Sequence, residues 1–418
     1  MKFFDRLQFN TSSSSSLDHT ESHYRPVPQY PASPSVRNLL LSGLLLLIAG
    51  MCALPAGPSF NPGKPFQYLL ALTLYLPALI IGFSSPRRWL ELMQRPLMPW
   101  LLALFAWAGL SLLWSNARRP ADEFMRMLSV LLFLLAFLQG VGSDPIRQRR
   151  LLMCGAGILS VTALAAIINY TIAPPADDRL IGFGVMANAN LVAAAMGAGV
   201  LMLWTCRFET RAQRLLKWLA IALMACALTL TFSRSAWIAL FSTVFILLTT
   251  RRSKRAGQRL VLLSMVAGGM ALAAYPELTE RGMSFRPQIF AHAMDLFAQH
   301  PLRGWGLGAN FIIPLEAGGG AHQIHTHNLF TQVAVELGLP GLLLWLAVWL
   351  GLGWRAWQHR ELATGRTVLG LWFFASIMLQ FDLPHLIDSP RPGWLIIWFP
   401  LALSLSLPSK SSFKSSDP

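Results

Sequence analysis

Charged side chains are scarce in this chain of 418 residues, since only 13% are Asp, Glu, Lys or Arg while 54% are hydrophobic. Soluble domains carry about 25% charged residues, so this composition excludes an assembly of two or three ordinary soluble domains. Acidic residues are the scarcest, with 19 Asp and Glu against 34 Lys and Arg. The composition therefore predicts a membrane protein with a strongly basic balance.

Cysteine is also rare, with four residues, Cys52, Cys154, Cys206 and Cys226, that fall singly in or beside apolar stretches. They show no CxxC spacing and no pairing that the sequence favours, so we expect packing residues rather than disulfides. A short apolar core followed by a small-residue cleavage site is missing before the first long apolar stretch. We therefore expect no removable signal peptide.

Long apolar stretches are what the chain has in abundance. A helix rises 1.5 Å per residue, so roughly 20 apolar residues cross the roughly 30 Å of a bilayer's hydrocarbon core. About twelve stretches near this length recur along the chain. They lie near 38–55, 66–84, 97–115, 124–142, 150–172, 187–206, 215–232, 235–250, 259–275, 339–357, 366–382 and 392–408. We predict an all-α polytopic membrane protein with about twelve transmembrane helices.

The basic residues predict the orientation of these helices. Lys and Arg are retained on the cytoplasmic side, and most of the 34 fall there if the N-terminus is cytoplasmic. Both termini are therefore expected in the cytoplasm, and the formal charge of +15 reflects topology rather than nucleic-acid binding. The predicted division is a disordered tail at 1–37, transmembrane helices one to nine at 38–275, a large external loop at 276–338, helices ten to twelve at 339–408 and a cytoplasmic tail at 409–418.

The external loop carries an unusual apolar pattern. Phe285, Ile289, Ala293 and Leu296 recur at helical spacing, and Pro287 suits a first helical turn. We expect an amphipathic helix that lies in the outer membrane interface. The glycine-rich stretch 301–308 that follows is expected to make tight turns and to allow close approach to a ligand.

External basic residues depart from the topology rule and are therefore candidates for function. Arg234 lies in a hairpin between two spans with almost no polar loop, so its charge needs an anionic partner, unless the side chain only reaches lipid headgroups. Arg179 precedes the Asn-rich start of the sixth span. Arg286 begins the loop helix, where backbone N–H groups also favour an anion. Arg303 is a further candidate in the glycine-rich stretch.

The run His325-Thr326-His327-Asn328 leads into the last external helix at the edge of a long apolar stretch. Titratable groups are costly at such a place and indicate function. Histidine can act as a base near neutral pH, and His327 is our candidate, with His325 as a helper and Asn328 as an orienting group. Glu336 is expected either to pair with an arginine or to be a buried structural acid. Gly338 and Gly341, which flank Leu339 and Pro340, are expected to break the helix.

These residue types predict group transfer from a lipid-borne substrate. The outer side of a cytoplasmic membrane offers neither ATP nor nucleotide sugars, whereas arginines can neutralise a leaving diphosphate by paired charge-assisted hydrogen bonds. The external loops hold no spaced DxD pair. His322, His325 and His327 lack the accompanying residues of a zinc site, so we expect neither a metal nor another cofactor.

In these features the chain resembles the O-antigen ligase family of bacterial inner membranes. The family motif is His, then Asn or Ser, nine residues, Gly, two residues, Gly, and Thr or Tyr. His327-Asn328 is followed by nine residues, Gly338, two residues and Gly341, and Leu342 departs from the last position. The Ser233-Arg234 turn, the segment 179–190 and Arg286 ahead of 301–304 are also similar to the family.

The resemblance implies a GT-C-like glycosyltransferase fold and metal-independent, inverting transfer of a glycan from undecaprenyl diphosphate to lipid A-core at the periplasmic face. Arg234 and Arg286, with Arg179 and Arg303, would hold the diphosphate, and His327 would be the base. An O-antigen polymerase or a protein O-oligosaccharyltransferase of the same family remains an alternative, and so does a lipid-linked glycan transporter. No external arginine is followed by glycine at the spacing associated with polymerases, which favours the ligase.

Overall fold

The computed structural model describes residues 24–25, 33–57, 61–250, 257–258, 264–265, 268–269, 285–315 and 321–410. Within these residues the chain is mostly helical. Except for residues 264–265 and 268–269, the ninth predicted span, 259–275, lies outside the described residues. Most of both predicted tails and loop residues 276–284 lie outside them too.

The helices before the external loop, within the described residues, follow the predicted apolar stretches closely. They are α1 Pro34–Ala53, α2 Lys64–Ser84, α3 Pro86–Met93, α4 Met98–Ser111, α5 Pro120–Gly140, α6 Pro145–Ile172, α7 Ala189–Trp204, α8 Arg211–Leu230 and α9 Arg234–Thr249. Only the short helix α3 has no counterpart among the predicted spans. Helix α1 begins at Pro34, so residues 34–37 are helical instead of belonging to the predicted tail; proline at a first helical position presets the backbone for this start.

The helices from the loop onward complete the fold. They are α10 Arg286–Gln299, α11 Leu329–Gln358, α12 Ala363–Met378, α13 Gly393–Ile396 and α14 Trp398–Leu405. Helix α10 is the helix expected in the loop, and its place at a membrane interface remains a prediction. Two short antiparallel pairs accompany the helices. One joins Ile313–Pro314 to His322–Gln323, and the other joins Tyr24–Arg25 to Ser409–Lys410.

Five of the described helices are long and apolar enough to cross a membrane: Pro34–Ala53, Lys64–Ser84, Pro145–Ile172, Arg211–Leu230 and Leu329–Gln358. Shorter apolar helices lie at Met98–Ser111, Ala189–Trp204, Arg234–Thr249 and Gly393–Leu405. The chain is therefore an integral membrane protein built from helices. The number of twelve spans and the GT-C-like arrangement remain predictions.

Helix α7 lies at the centre of the bundle. Every residue from Leu191 to Leu203 is buried, and six of these thirteen residues are alanine or glycine. Small residues let membrane helices approach closely. A Cβ on Gly197 would lie 2.2 Å from the ring of Phe374 on α12, so the two helices touch there. The middle of α7 is consequently packed closely against α12.

Helix α11 is broken at Gly338, as the glycine–proline pattern predicted. Gly338 has φ +65° and ψ −170°, a conformation that residues with a Cβ rarely adopt, and Pro340 follows within the same helix. A Cβ on Gly338 would lie 2.4 Å from the carbonyl oxygen of Leu302. The break therefore requires glycine both for its backbone angles and for the close approach of the loop.

The glycine-rich stretch 301–308 makes the expected tight turns and approaches this break, while its approach to a ligand remains a prediction. The backbone N–H of Trp305 donates to the Val335 carbonyl at 2.9 Å, and that of Gly306 donates to the Glu336 carbonyl at 2.7 Å. On α4, the indole Nε1 of Trp107 donates to the Leu337 carbonyl at 2.8 Å. The loop and α4 thus bind the carbonyl groups that a broken helix leaves without helical partners.

The variant Gly338→Ala tests this interpretation. The left-handed backbone and the clash with Leu302 should lower the free energy of unfolding by about 2 kcal/mol or more. Thermal unfolding of the purified protein in detergent would measure the loss. Gly157→Ala is the matched control, because Gly157 lies within α6 with no atom within 4 Å of an added Cβ. Equal melting temperatures for both variants would contradict the role of the break.

Candidate active site

A cavity of about 500 Å³ contains most of the polar residues singled out in the sequence. Its polar wall holds Arg179, Arg234, Arg286 and His327. Its apolar wall is formed by Phe232, Ile238, Pro287, Phe290 and Phe381. A charged headgroup and an apolar chain could therefore be bound side by side.

Among the described helices, four begin at this cavity. Asn190 lies in the first turn of α7, Arg234 begins α9, Arg286 begins α10, and Asn328 is the N-cap of α11. A helix N-terminus carries a partial positive charge and unpaired N–H groups. Four such termini and three arginines give the cavity a positive potential that suits an anion.

Arg234 is placed by a sharp turn between two helices. Helix α8 ends at Leu230 and α9 begins at Arg234, and Phe232 between them has φ +49°. The backbone N–H of Ser233 donates to the Thr231 hydroxyl at 3.3 Å, and both of these residues are buried. The expectation that Arg234 lies in a hairpin with almost no polar loop is confirmed.

Arg286 lies close to a second cation. Phe285 before it has φ +57°, and the Arg286 Nε donates to the Phe381 carbonyl at 3.2 Å. Burial lowers the pKa of Arg286 below its ordinary value, the nearby Arg234 charge lowers it further, and Asp382 acts in the opposite direction. An anion between Arg234 and Arg286 would stabilise the charged form of both.

His327 faces a carboxylate that sequence reasoning missed. Its Nδ1 lies 3.7 Å from Asp382 Oδ1, and its Nε2 lies 3.3 Å from Gln323 Oε1. Burial alone would raise the pKa of Asp382, but contacts with His327, Leu383 and Asn190 bring it below its ordinary value. Asp382 is therefore negatively charged at neutral pH. Its place as the last residue of the eleventh predicted span, 366–382, was the available signal.

His325 lies beside His327 but does not line the cavity. The ring centroids of these two histidines are 4.2 Å apart, and the ring of His385 lies 5.8 Å from that of His325. Burial, with smaller contributions from His327 and His385, lowers the pKa of His325 to about 3, so its ring is neutral. Within the described part of the chain, no group of three or more His, Cys, Asp or Glu side chains is placed to hold a metal ion.

Asn328 and Glu336 hold the turn that carries His327. The Asn328 side chain accepts from Phe330 N at 2.9 Å and donates to the Gln380 carbonyl at 3.1 Å. Buried Glu336 accepts from Gln332 Nε2 at 2.8 Å, and Gln332 Oε1 accepts from the Thr326 N–H at 3.0 Å. Of the two roles expected for Glu336, these bonds favour the buried structural acid.

The remaining predicted site residues lie outside the cavity. Arg303 is exposed on the turn after α10, because the packing of 301–306 against the helix break turns its side chain outward. Gly338 and Gly341 lie at the break itself. A Cβ on Gly341 would lie 2.2 Å from the Cβ of Leu337. These glycines position α11, and the cavity is lined by other residues.

Backbone strain is concentrated around the cavity. Of the described non-glycine residues with positive φ, most lie at or next to residues of this site. They are Asp178 before Arg179, Phe232, Phe285, His327 itself and Leu383 after Asp382. Such conformations cost of order 1–3 kcal/mol each and persist only where the surrounding structure imposes them.

Two comparisons with known proteins bear on this chain. Residues 219–346 match a family model described as O-antigen ligase, and this segment contains Arg234, Arg286 and His327. The chain is also 29% identical over 394 residues to an O-antigen ligase of Pseudomonas aeruginosa, covering 90% of this chain and 92% of that protein. Both comparisons confirm the resemblance that the sequence motif indicated.

Binding of inorganic diphosphate to the purified protein tests the anion site. Arg234→Ala and Arg286→Ala should each weaken binding about tenfold or more, because a hydrogen bond to a charged group contributes about 1.5–3 kcal/mol. Isothermal titration calorimetry in detergent would measure the affinities. Arg303→Ala, which removes an exposed arginine outside the cavity, should leave the affinity within about twofold. A loss with Arg303→Ala equal to that with Arg234→Ala would place the anion elsewhere.

Proposed function

Since the chain resembles O-antigen ligases over most of its length, we propose that it transfers a preassembled glycan from undecaprenyl diphosphate to lipid A-core. The reaction takes place at the periplasmic face of a bacterial inner membrane and completes lipopolysaccharide. The observation that carries this proposal is the presence of three arginines and His327 around one cavity. An anion-binding surface and a base are the two groups that such a transfer needs.

The transfer joins an acceptor hydroxyl to the anomeric carbon of the glycan. His327 takes the proton of that hydroxyl as the new carbon–oxygen bond forms. The bond between the anomeric carbon and the phosphate oxygen breaks, and its electron pair stays on undecaprenyl diphosphate. Attack from the face opposite the leaving group inverts the anomeric configuration.

The arginines stabilise the charge that develops on the leaving diphosphate. Arg179, Arg234 and Arg286 remain protonated at any relevant pH and can bind phosphate oxygens through paired hydrogen bonds. The helix N-termini at the cavity act in the same direction, since they favour negative charge. In this proposal these groups replace a metal ion, and the reaction needs no cofactor.

Asp382 orients the base. A carboxylate beside Nδ1 of a histidine fixes the tautomer in which Nε2 can accept a proton, and it stabilises the imidazolium that forms. The distance of 3.7 Å between His327 Nδ1 and Asp382 Oδ1 is longer than a hydrogen bond. Catalytic hydrogen bonds are often long before substrate binds and shorten in the reacting complex.

The apolar wall suits the lipid part of the donor. Phe290 and Ile238 are more than half exposed beside the arginines, and Phe381 is exposed to 38%. An isoprenoid chain would bury these side chains while its diphosphate lies against the cations.

The pairing of Tyr24–Arg25 with Ser409–Lys410 supports termini on one side of the membrane, which is the cytoplasm in this proposal.

The variants His327→Ala and Arg234→Ala should each abolish glycan transfer, because one removes the base and the other removes charge from the leaving-group site. General-base catalysis contributes about 100- to 10,000-fold, so the loss should be at least of this order. The measurement is lipopolysaccharide with attached glycan, after reconstitution with an undecaprenyl-diphosphate-linked glycan, a lipid A-core acceptor and a chelator. His292→Ala, on the exposed side of α10, is the control.

Each outcome of this reconstitution separates two hypotheses. Full transfer by either variant would contradict the mechanism. Elongated glycan on the lipid carrier, without modified lipid A-core, would identify a polymerase instead. Loss of transfer in the presence of the chelator, restored by a divalent cation, would contradict the metal-independent reaction.

The variant Asp382→Asn should lower kcat by about tenfold to 1,000-fold while changing the KM for the donor little, because it alters the orientation of the base rather than the arginines. Its size is nearly unchanged, so the fold should be retained. Steady-state kinetics in the same reconstitution would measure both constants. An increase in KM with unchanged kcat would instead make Asp382 part of the donor-binding site.

A further inference from the structure

A chain of polar contacts runs from a donor-binding arginine to the base. Arg179 donates through Nε to the Thr231 carbonyl at 2.8 Å and through Nη2 to Asn190 Oδ1 at 2.9 Å. Asn190 Nδ2 in turn donates to Asp382 Oδ2. The other oxygen, Asp382 Oδ1, faces His327 Nδ1. Asn190 is therefore the one side chain in this series that touches both the arginine and the carboxylate.

The orientation of the Asn190 amide is determined by its two neighbours. Its oxygen can only accept, so it faces the guanidinium, and its NH₂ group can only donate, so it faces the carboxylate. The reverse orientation would place oxygen against oxygen and NH₂ against guanidinium. A neutral side chain with one acceptor and one donor is thus the type that fits between Arg179 and Asp382.

The backbone of Asn190 is held firmly. Its N–H donates to the side chain of Asn188, which caps α7, at 2.9 Å. Most of the helix beyond it is buried. Asp382 lies on a loop after α12, and its Oδ1 accepts from the Leu383 N–H at 2.8 Å. Asn190 therefore ties a loop carboxylate to a largely buried helix of the bundle.

We propose that Asn190 is a positioning residue of the transfer reaction, which joins the donor-binding Arg179 to the Asp382–His327 pair and fixes the carboxylate that orients the base. This inference rests on the proposed function. Without Asn190, the Oδ2 atom of Asp382 has lost a charge-assisted hydrogen bond, and the carboxylate can rotate away from His327. Arg179 keeps its bond to the Thr231 carbonyl, so the donor site changes less than the base does.

The expected kinetic result for Asn190→Ala is a drop in kcat of about 10- to 100-fold, a part of the whole effect of a general base. The KM for the undecaprenyl-diphosphate-linked glycan should stay within about threefold. The hydrogen bond from Asn190 is one of the contacts that lower the pKa of Asp382. Its removal raises that pKa, so the loss of activity that follows protonation of Asp382 at low pH begins at a higher pH. The titratable groups that act on Asp382 are His327, Arg286, His325 and His385.

Thr210→Ala is the control. It removes the N-cap of α8, at the end of that helix opposite Thr231, so it should lower the melting temperature and leave kcat and the pH profile unchanged. A purely structural role for Asn190 would give both variants the same pattern of effects. That result would overturn the proposal.

The double variant of Asn190→Ala with Asp382→Asn completes the test. If Asn190 acts through Asp382, the double variant should have about the same kcat as Asp382→Asn alone, because the effects of coupled residues are not additive. Fully multiplicative losses would overturn the proposal. The unmodified protein in the same reconstitution tests the proposed function separately. If it fails to transfer glycan, that function is wrong, whereas a normal kcat for Asn190→Ala in a working assay rejects only this inference.

Discussion

The break in α11 at Gly338 is the constraint on which the geometry of the candidate site depends. It exposes backbone carbonyls of 335–337, and these accept from the turn 301–306 and from Trp107. That turn connects α10 to the rest of the loop, and α10 in turn packs Ile289 and Ala293 into a small cluster with Val335. The break in α11 thereby holds α10, which begins with Arg286, against α11, which follows His327.

Hydrogen bonds from nearby carbonyl groups stabilise the positive charge of the site. Arginines at a membrane surface are costly unless they are hydrated or paired. Arg179 and Arg286 donate to the carbonyls of Thr231 and Phe381, which end or follow neighbouring helices. The helix N-termini at the cavity, by contrast, add further positive potential to that of the arginines. The cavity is thus suited to an anion, which would relieve the repulsion among the cations.

Much of the fold and part of the site could be predicted from the sequence. Apolar length is a local property, so the helices within the described residues were found to within a few positions, apart from α11, which begins at Leu329 rather than near 339. The hairpin at Arg234 and the helix break at Gly338 were also found. Contacts between distant segments left no such pattern. Asn190 and Asp382 are 192 positions apart, and nothing local indicates that they meet. The outward direction of Arg303 likewise follows from the packing of its turn, which composition does not encode.

The residues with left-handed backbone before the cavity helices affect how this protein could be engineered. Phe232 and Phe285 have positive φ, and this backbone conformation is strained because both residues carry a Cβ. Selection for heat resistance would favour glycine or asparagine at these two positions, since either relaxes the turn. The same exchange would loosen the arginine that follows each turn. Thermal stability and the placement of these arginines would then oppose each other at the same two positions.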